Sequence, residues 1–464
     1  MSDSKPSTHN HILVYPLASS GHFIPLLDLT RHLLRHGLTI TVVISAANLP
    51  LLDPLISSYP ASLHKLLLPD PPVDRSLSPH PLIAKVTATR QLFDPIVRWF
   101  ESHPAPPATV ISDFFLGWTH DLASYLGIRH VVFSPSGALG YSVFHALWRD
   151  VLQIKALHGG EKDDENFVLS FPDIPNSPGL HWWQLSQVWR GYKEGEPGYE
   201  SFRKGALDNM TSWGFVFNTF EGLEGEYIDH VKKLIGHDRV WAVGPLLPDE
   251  HDRLGSTGRG GSSAVPPDDL LMWLDKKLDD SVVYICFGSR EMLSEKEMGA
   301  LTDALKRSNV EFILCVQESG SSLIPSGFEH EVGGRGFVVK GWAPQLAILR
   351  HRAVGSFVTH CGWNSTMEGV TSGVMMLTWP LGADQFTNAA LLVDRLGVGK
   401  RVRDGGSESV PDSVELARLL EESLSVDRPE RVRVKELSRA AIKAVKEGTS
   451  VKNLNTFVKL LSEM

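Results

Sequence analysis

The chain of 464 residues is 42% hydrophobic and 21% charged, and its 45 basic and 54 acidic residues give a formal net charge of -9. This length and apolar content exclude a short or disordered scaffold and indicate two or three domains, each large enough to bury a core. The acidic balance excludes a general attraction to nucleic acid or anionic membranes, so any anion must be recognised locally.

Cysteine usage and the amino terminus indicate where such a protein works. Three scattered cysteines, Cys286, Cys315 and Cys361, form no Cys-x-x-Cys pair, which argues against a disulfide framework or a thiolate zinc site and fits a reducing compartment. Residues 1–11 contain no apolar signal core, and no run reaches the roughly 18 apolar residues of a membrane helix. We expect a cytoplasmic protein without a metal or membrane insertion.

The first half of the chain alternates short apolar runs with helical stripes. The run at 11–16 predicts a buried strand, the stripe from Phe23 to His36 predicts a helix, and the run at 38–45 predicts a second strand. Strand, helix and strand in this order are typical of a parallel unit with a right-handed crossover. The series continues with strands at 109–112 and 130–134 and a helix from Trp118 to Tyr125.

A composition shift at 248–269, where Gly, Ser, Pro and Asp replace apolar residues, predicts a linker. Beyond it the alternation begins again, so we predict two α/β domains, 1–247 and 270–440, that face each other across a cleft. A C-terminal helix at 441–464 is expected to pack back on the first domain. The second half has predicted strands at 281–288, 312–316, 337–342, 353–360 and 374–379 and helices that include Glu295 to Ser308 and Ala389 to Leu396.

Polar residues follow several of these strands. In open α/β sheets, ligands bind outside the carboxyl ends of the strands, so these residues are candidates for chemistry in one cleft. They are Ser19 to His22, Asp113, Ser289, His360, Asp384 and Gln385.

His22 and Asp113 are candidates for an acid-base pair. They lie 91 positions apart, but each follows a strand of the same predicted sheet, which can bring them within hydrogen-bonding reach. An imidazole accepts a proton near neutral pH, and a carboxylate on its other nitrogen fixes the tautomer, so the pair would activate a hydroxyl nucleophile. The alternative is that both residues only cap helices.

The segment HCGWNSTMEG at 360–369 predicts an anion site. A strand exit is followed by a turn of small residues and by Ser365-x-x-Glu368, which predicts a capping box that opens a helix. Free amide groups at such a helix start, together with His360, would suit a diphosphate. The alternative is that Ser365 and Glu368 only cap each other.

Aromatic residues near Asp113 have two interpretations. Most are expected to lie in the core. Those just beyond the strand ends would instead line an apolar pocket for a second substrate, next to the candidate base. This predicted pocket contains Phe114, Phe115, Trp118 and Tyr141.

The 44 residues from Trp342 to Gln385, WAPQLAILRHRAVGSFVTHCGWNSTMEGVTSGVMMLTWPLGADQ, closely resemble the signature of plant UDP-dependent glycosyltransferases of natural products. The resemblance extends over essentially the whole chain through segments at 19–25, 112–115, 241–246 and 286–289. It implies the GT-B fold, in which two Rossmann-like domains bind the acceptor and the UDP-sugar respectively. It further implies a UDP-sugar cosubstrate without a cofactor, and we expect a monomer.

The resemblance also implies roles for individual residues. Trp342 would stack on uracil, the Ala343 backbone would bond it, and Gln345 and Glu368 would contact the ribose, in competition with the capping box. The implied diphosphate contacts are Ser289, His360, Asn364 and Ser365, and the implied sugar contacts are Trp363, Asp384 and Gln385.

The implied reaction is in-line displacement with inversion, in which His22 is the general base and Asp113 its partner. At Gln385 and Trp363 the sequence resembles enzymes that use a neutral glucosyl donor. This resemblance favours transfer of glucose from UDP-glucose to a hydroxyl of a flavonoid or other small phenol. At Met375 and Gly369 the sequence resembles the branch of flavonol and phenolic glycosyltransferases, some members of which use deoxyhexose donors. UDP-rhamnose and a C-glycoside are alternatives, and a UDP-sugar epimerase or a non-catalytic nucleotide-sugar binder is the alternative of another class.

Overall fold

The computed structural model describes residues 11–158, 167–248, 259, 263–403, 405–406 and 409–463. Its first half builds one large parallel sheet flanked by helices. The strands are β1 His11–Tyr15, β2 Thr39–Ile44, β3 Leu63–Leu67, β4 Thr109–Asp113, β5 Arg129–Ser134, β6 Val168–Leu169, β7 Leu180–His181, β8 Gly214–Phe217 and β9 Val240–Ala242. The helices are α1 Ser20–Arg35, α2 Leu49–Ser58, α3 Pro81–Thr89, α4 Phe93–Ser102, α5 Thr119–Leu126, α6 Ala138–Arg149, α7 Val151–His158, α8 Gln187–Arg190, α9 Pro197–Asp208 and α10 Glu221–Ile235.

The first sheet has the order β3-β2-β1-β4-β5-β8-β9, with β6 and β7 forming a separate antiparallel pair. Every residue of β1 and β4 is buried, as expected for strands covered by helices on both faces. The order reverses between β1 and β4, and their register places Tyr15 beside Ser112. The chain leaves both strands at this switch point, where ligands bind in such sheets.

The second half repeats this plan with a six-stranded parallel sheet of order β12-β11-β10-β13-β14-β15. Its strands are β10 Val282–Cys286, β11 Glu311–Val316, β12 Gly336–Lys340, β13 Val354–Thr359, β14 Met375–Thr378 and β15 Gly399–Arg401. Its helices are α11 Pro267–Asp275, α12 Glu295–Arg307, α13 Phe328–Val332, α14 Gln345–Arg350, α15 Trp363–Ser372, α16 Gln385–Ala390, α17 Ser413–Ser423, α18 Pro429–Lys446 and α19 Thr449–Ser462. The two Rossmann-like domains confirm the predicted GT-B class.

The C-terminal helices connect the two halves. Helix α18 continues across the predicted boundary at 440 and packs on α15, while α19 packs on β9. The Phe457 ring lies 4.8 Å from that of Trp241, and Arg129 Nη1 donates to the Leu460 carbonyl at 2.7 Å. Most of the predicted linker lies outside the described residues, and its end forms the start of α11. The domain boundaries therefore stay predictions.

The sequence analysis predicts neither the antiparallel pair β6 and β7 nor four strands of the two parallel sheets, β3, β8, β9 and β15. Helix α1 begins at Ser20, three residues before the predicted start. The earlier start places His22 in the first turn of α1, directly beyond β1. Among the described residues, no helix is both long and apolar enough to cross a membrane.

Candidate active site

Two cavities meet in the cleft between the domains. The larger, of about 410 Å³, lies over the strand exits of the second sheet. The smaller, of about 190 Å³, is lined mainly by residues of the first domain. Six residues line both cavities and so mark their junction: His22, Ser136, Arg290, Glu291, Ala383 and Asp384.

His22 and Asp113 form the predicted pair at this junction. His22 Nδ1 lies 2.8 Å from Asp113 Oδ2, and the Phe115 backbone N–H donates to the other carboxylate oxygen, Oδ1, at 2.9 Å. Asp113 is fully buried, whereas the His22 side chain is 15% exposed. Because a carboxylate only accepts hydrogen bonds, the proton of the neutral imidazole lies on Nδ1, which leaves Nε2 as the basic nitrogen.

His360 lies directly after β13 and lines the larger cavity. Its ring packs closely against Gly288 and Gly362. A Cβ added at these positions would lie 2.6 Å and 2.4 Å, respectively, from His360 Nε2, so only glycine leaves room for the ring. Burial lowers the pKa of His360 to about 4, so the imidazole is neutral at physiological pH. Gly362 caps the start of α15, whose first amides offer an anion site next to this ring.

The predicted capping box at Ser365 and Glu368 is wrong. Helix α15 begins at Trp363, so Ser365 lies inside its first turn, and no side chain caps the helix. Gln345 Nε2 instead donates to Ser365 Oγ at 2.9 Å and to Glu368 Oε2 at 2.7 Å. The Glu368 carboxylate also pairs with Arg259, a residue of the predicted linker.

Asp384 and Gln385 are held so that they face the larger cavity. Asp384 Oδ2 accepts from Ser136 Oγ at 2.7 Å, a hydrogen bond between the two domains. Gln385 Oε1 accepts from the backbone N–H groups of Leu381 and Gly382 at 2.8 and 3.0 Å. This arrangement leaves the Gln385 amide nitrogen as a donor toward the cavity.

Two further hydrogen bonds join the domains beside the cavity. Trp363 Nε1 donates to the Asn218 carbonyl at 2.8 Å, and Asn364 Nδ2 donates to the Gly21 carbonyl at 3.1 Å. The indole N–H of Trp363 is therefore already engaged. All eleven predicted donor-binding residues line the larger cavity, namely Ser289, Trp342, Ala343, Gln345, His360, Trp363, Asn364, Ser365, Glu368, Asp384 and Gln385.

The smaller cavity has largely aromatic walls. Phe114, Phe115 and Tyr141 line it as predicted, and the Phe115 ring centroid lies 4.9 Å from that of His22. Trp118 does not line this cavity: its ring packs edge-on against Tyr15, and its Nε1 donates to Thr89 Oγ1 at 2.8 Å.

Several residues that line the two cavities are not predicted from the sequence. Ser136 follows β5, so the strand-exit rule would have found it. Arg259 lies in a segment without periodicity, and nothing local indicates that its guanidinium pairs with Asp28 and Glu368. The remaining walls of the smaller cavity come from distant segments and include His80, Phe144, Trp148, Leu185, Trp189 and Phe202.

Comparisons with known proteins agree with this geometry. Residues 262–408 match the family model described as UDP-glucoronosyl and UDP-glucosyl transferase. The chain is 46% identical to UDP-glycosyltransferase 89B2 of Stevia rebaudiana, with 98% of each chain covered. The chain belongs to the UDP-glycosyltransferase family. Like other members, this glycosyltransferase uses a UDP-sugar as cosubstrate and needs no cofactor.

Two further relatives bear on specificity. Flavonol 3-O-glucosyltransferase UGT89B1 of Arabidopsis thaliana is 43% identical, covering 98% of this chain and 97% of its own. The crystal structure of Arabidopsis thaliana UGT89C1 complexed with UDP-L-rhamnose has a TM-score of 0.79 and 35% identity, covering 97% of this chain and 99% of its own. The same enzyme complexed with quercetin has a TM-score of 0.77 and 34% identity, with the same coverage.

Proposed function

We propose that this glycosyltransferase moves glucose from UDP-glucose to a hydroxyl of a flavonoid or other small phenol, with inversion at the anomeric carbon. The observation that carries this proposal is the position of His22, which lines both cavities and holds Asp113 through Nδ1. A base between a polar cavity and an aromatic cavity is the arrangement that transfer between a nucleotide sugar and an aromatic alcohol requires.

The donor would occupy the larger cavity. The family resemblance assigns uracil to Trp342 and Ala343 and the ribose to Glu368, which requires Glu368 to exchange Arg259 for the ribose hydroxyls. The diphosphate would lie at His360 and the start of α15, where amide donors and a neutral imidazole replace water as charge develops on the leaving group. These donors are fixed before the reaction, so they stabilise the departing UDP without reorganising.

The acceptor would occupy the smaller cavity with its hydroxyl toward His22. Nε2 takes the hydroxyl proton while the oxygen attacks the anomeric carbon, and Asp113 stabilises the imidazolium that forms. The bond from that carbon to the UDP oxygen breaks on the opposite side, which inverts the configuration. Phe114, Phe115 and Tyr141 offer flat apolar surfaces that fit the rings of a phenol.

Glucose is preferred because of Gln385 and Asp384. The amide N–H groups of Gln385 and the second carboxylate oxygen of Asp384, Oδ1, suit the hydroxyls of a neutral hexose, whereas a glucuronate carboxylate would need a cation there. The similarity to UGT89C1, solved with UDP-L-rhamnose, favours rhamnose as a second candidate. The similarity to a flavonol 3-O-glucosyltransferase and to a quercetin complex supports a flavonol acceptor in either case.

The test is a panel of flavonols and simple phenols incubated separately with UDP-glucose and UDP-rhamnose and analysed by mass spectrometry. We expect hexose addition to flavonols with UDP-glucose. Acid treatment then separates the two kinds of product, because acid releases the sugar from an O-glycoside and leaves a C-glycoside intact. Deoxyhexose addition alone would replace glucose by rhamnose. An altered UDP-sugar without acceptor would indicate an epimerase, and UDP-induced stabilisation without any glycoside would indicate a non-catalytic binder.

A further inference from the structure

Cys286 and Cys315 lie directly opposite each other on neighbouring strands. Cys286 ends β10, and the register of the parallel pair matches it with Cys315 of β11. Residues paired in this way point to the same face of a sheet. Both side chains reach the larger cavity, where each residue is buried except for 8% and 7% of its surface. The two thiols therefore meet at the floor of the proposed donor site.

The spacing of the two strands suits a covalent link. Neighbouring strands lie about 4.7–4.9 Å apart, and disulfides join residues whose Cα atoms are about 4.4–6.8 Å apart. We propose that Cys286 and Cys315 form a reversible disulfide that switches off UDP-sugar binding. This inference rests on the proposed donor site.

The chemistry requires an oxidant, for which a hydroperoxide is sufficient. The neighbouring Cys315 side chain lowers the pKa of the Cys286 thiol, which makes Cys286 the attacking group. Its thiolate attacks one peroxide oxygen, the O–O bond breaks, and a sulfenic acid forms with loss of one water after protonation. Cys315 sulfur then displaces the sulfenic oxygen as a second water. Two thiols and one hydrogen peroxide thus give one disulfide and two waters.

The link would disturb the segment proposed to hold uracil. In the reduced protein, Cys315 Sγ–H donates to the Gly341 carbonyl at 3.3 Å. Gly341 immediately precedes Trp342 and Ala343, and all three line the same cavity as the thiols. Disulfide formation removes the S–H donor and frees the Gly341 carbonyl. Intracellular disulfides are usually transient and regulatory, so a pair in this position fits a protein of a reducing compartment.

The experiment treats the purified full-length reduced enzyme with hydrogen peroxide, with and without saturating UDP. The reduced chain carries three free thiols, Cys286, Cys315 and Cys361. We expect denatured oxidised protein to show one free thiol, and non-reducing peptide mass spectrometry to show a cross-linked pair of peptides that contain Cys286 and Cys315. UDP affinity should fall about tenfold or more, dithiothreitol should restore it, and bound UDP should slow the reaction.

Cys361 provides the matched control, because its side chain is fully buried and does not line the cavity. Each variant is compared with its own reduced form. Cys361→Ser should keep the oxidative loss of UDP affinity, whereas Cys286→Ser and Cys315→Ser should abolish it. The same variants with alanine give a second test if a serine variant does not fold.

Three results would overturn the proposal: a disulfide that includes Cys361, oxidation that stops at a sulfenic or sulfinic acid, or a Cys286–Cys315 disulfide that leaves UDP affinity unchanged. A reduced enzyme that binds no UDP would refute the proposed function instead. In that case the cross-linked peptides would still show whether the disulfide forms.

Discussion

The two cavities of the cleft differ in how they are built. The larger is lined by many polar side chains, and most of its predicted contacts come from the 44 consecutive residues between Trp342 and Gln385. The smaller is aromatic, and its walls come from segments as distant in sequence as His80 and Thr387. A nucleotide needs fixed donors at set spacings, which a short run of loops can supply. An apolar acceptor needs only a shape, which many segments can form together.

The proposed catalytic pair, His22 and Asp113, lies where these two kinds of cavity meet. Asp113 ends a strand of the first sheet, and His22 reaches both cavities from the first turn of α1. Changes to the pair should therefore affect the reaction itself, while changes to one cavity should affect one substrate. The predictions below test this division.

The largest of these effects is expected for Asp113→Asn. An amide cannot replace the carboxylate in fixing the Nδ1–H tautomer or in stabilising the imidazolium, so kcat should fall about 10³-fold or more. UDP affinity, measured by calorimetry, should stay unchanged because Asp113 does not line the larger cavity. Asp121→Asn is the control, since Asp121 pairs with Arg90 on the surface of the same domain. A variant with near-normal kcat would contradict the role of Asp113.

A smaller effect is expected for His360→Ala. Removal of one preorganised donor to a developing anion typically costs about 10²-fold in kcat, and UDP affinity should fall as well. The KM of the phenolic acceptor should change little, because His360 lines only the larger cavity. Steady-state kinetics with each substrate varied in turn would check this, and an effect confined to the acceptor KM would be inconsistent with it.

Phe144→Ala tests the aromatic side of the comparison. The Phe144 ring lies 5.0 Å from that of Phe114 and lines the smaller cavity. Loss of this apolar surface should raise the acceptor KM about tenfold without changing UDP affinity. Equal losses for both substrates would show that the two cavities are not independent. Phe312→Leu, a buried change in the second domain, is the control for general loss of packing.

The smallest expected effect concerns His130, a buried residue of β5 in the first domain. Burial lowers the pKa of His130 to about 3, so the folded state excludes a proton that the unfolded chain binds near pH 6.5. The contribution of His130 to the free energy of unfolding is therefore complete above pH 6.5 and is lost as the pH falls toward 3. Between pH 6.5 and 5 the free energy of unfolding should fall by about 2 kcal/mol. Urea unfolding at both pH values should show this loss, and His130→Gln should reduce it. An unchanged pH dependence in the variant would assign the loss to other groups.

The fold was predictable because its strands are continuous apolar runs. Strands β1, β4, β10 and β13 are buried throughout, and such runs stand out from the helical stripes between them. Strands β9 and β15 have only three residues each, too few to show any pattern. The residues at strand exits could be predicted for the same reason, since topology alone brings His22 and Asp113 to one sheet edge.

The rest depends on contacts that local sequence does not encode. Ser365 and Glu368 have the spacing of a capping box, but α15 begins earlier, and Gln345 donates hydrogen bonds to both side chains. The short distance in sequence from Asp113 predicts Trp118 in the acceptor pocket, whereas a hydrogen bond to Thr89 holds its indole in the core. In both cases a partner distant in sequence decides the outcome.

The central claim is that His22 takes the acceptor proton at the junction of the two cavities. The most direct measurement compares the loss of kcat/KM in His22→Ala for a series of acceptors from acidic phenols to aliphatic alcohols. A general base matters most for the hydroxyl that is hardest to ionise, so the loss should grow as the acceptor becomes less acidic, with UDP affinity retained. An equal loss for every acceptor, or undiminished transfer to an aliphatic alcohol, would contradict the account.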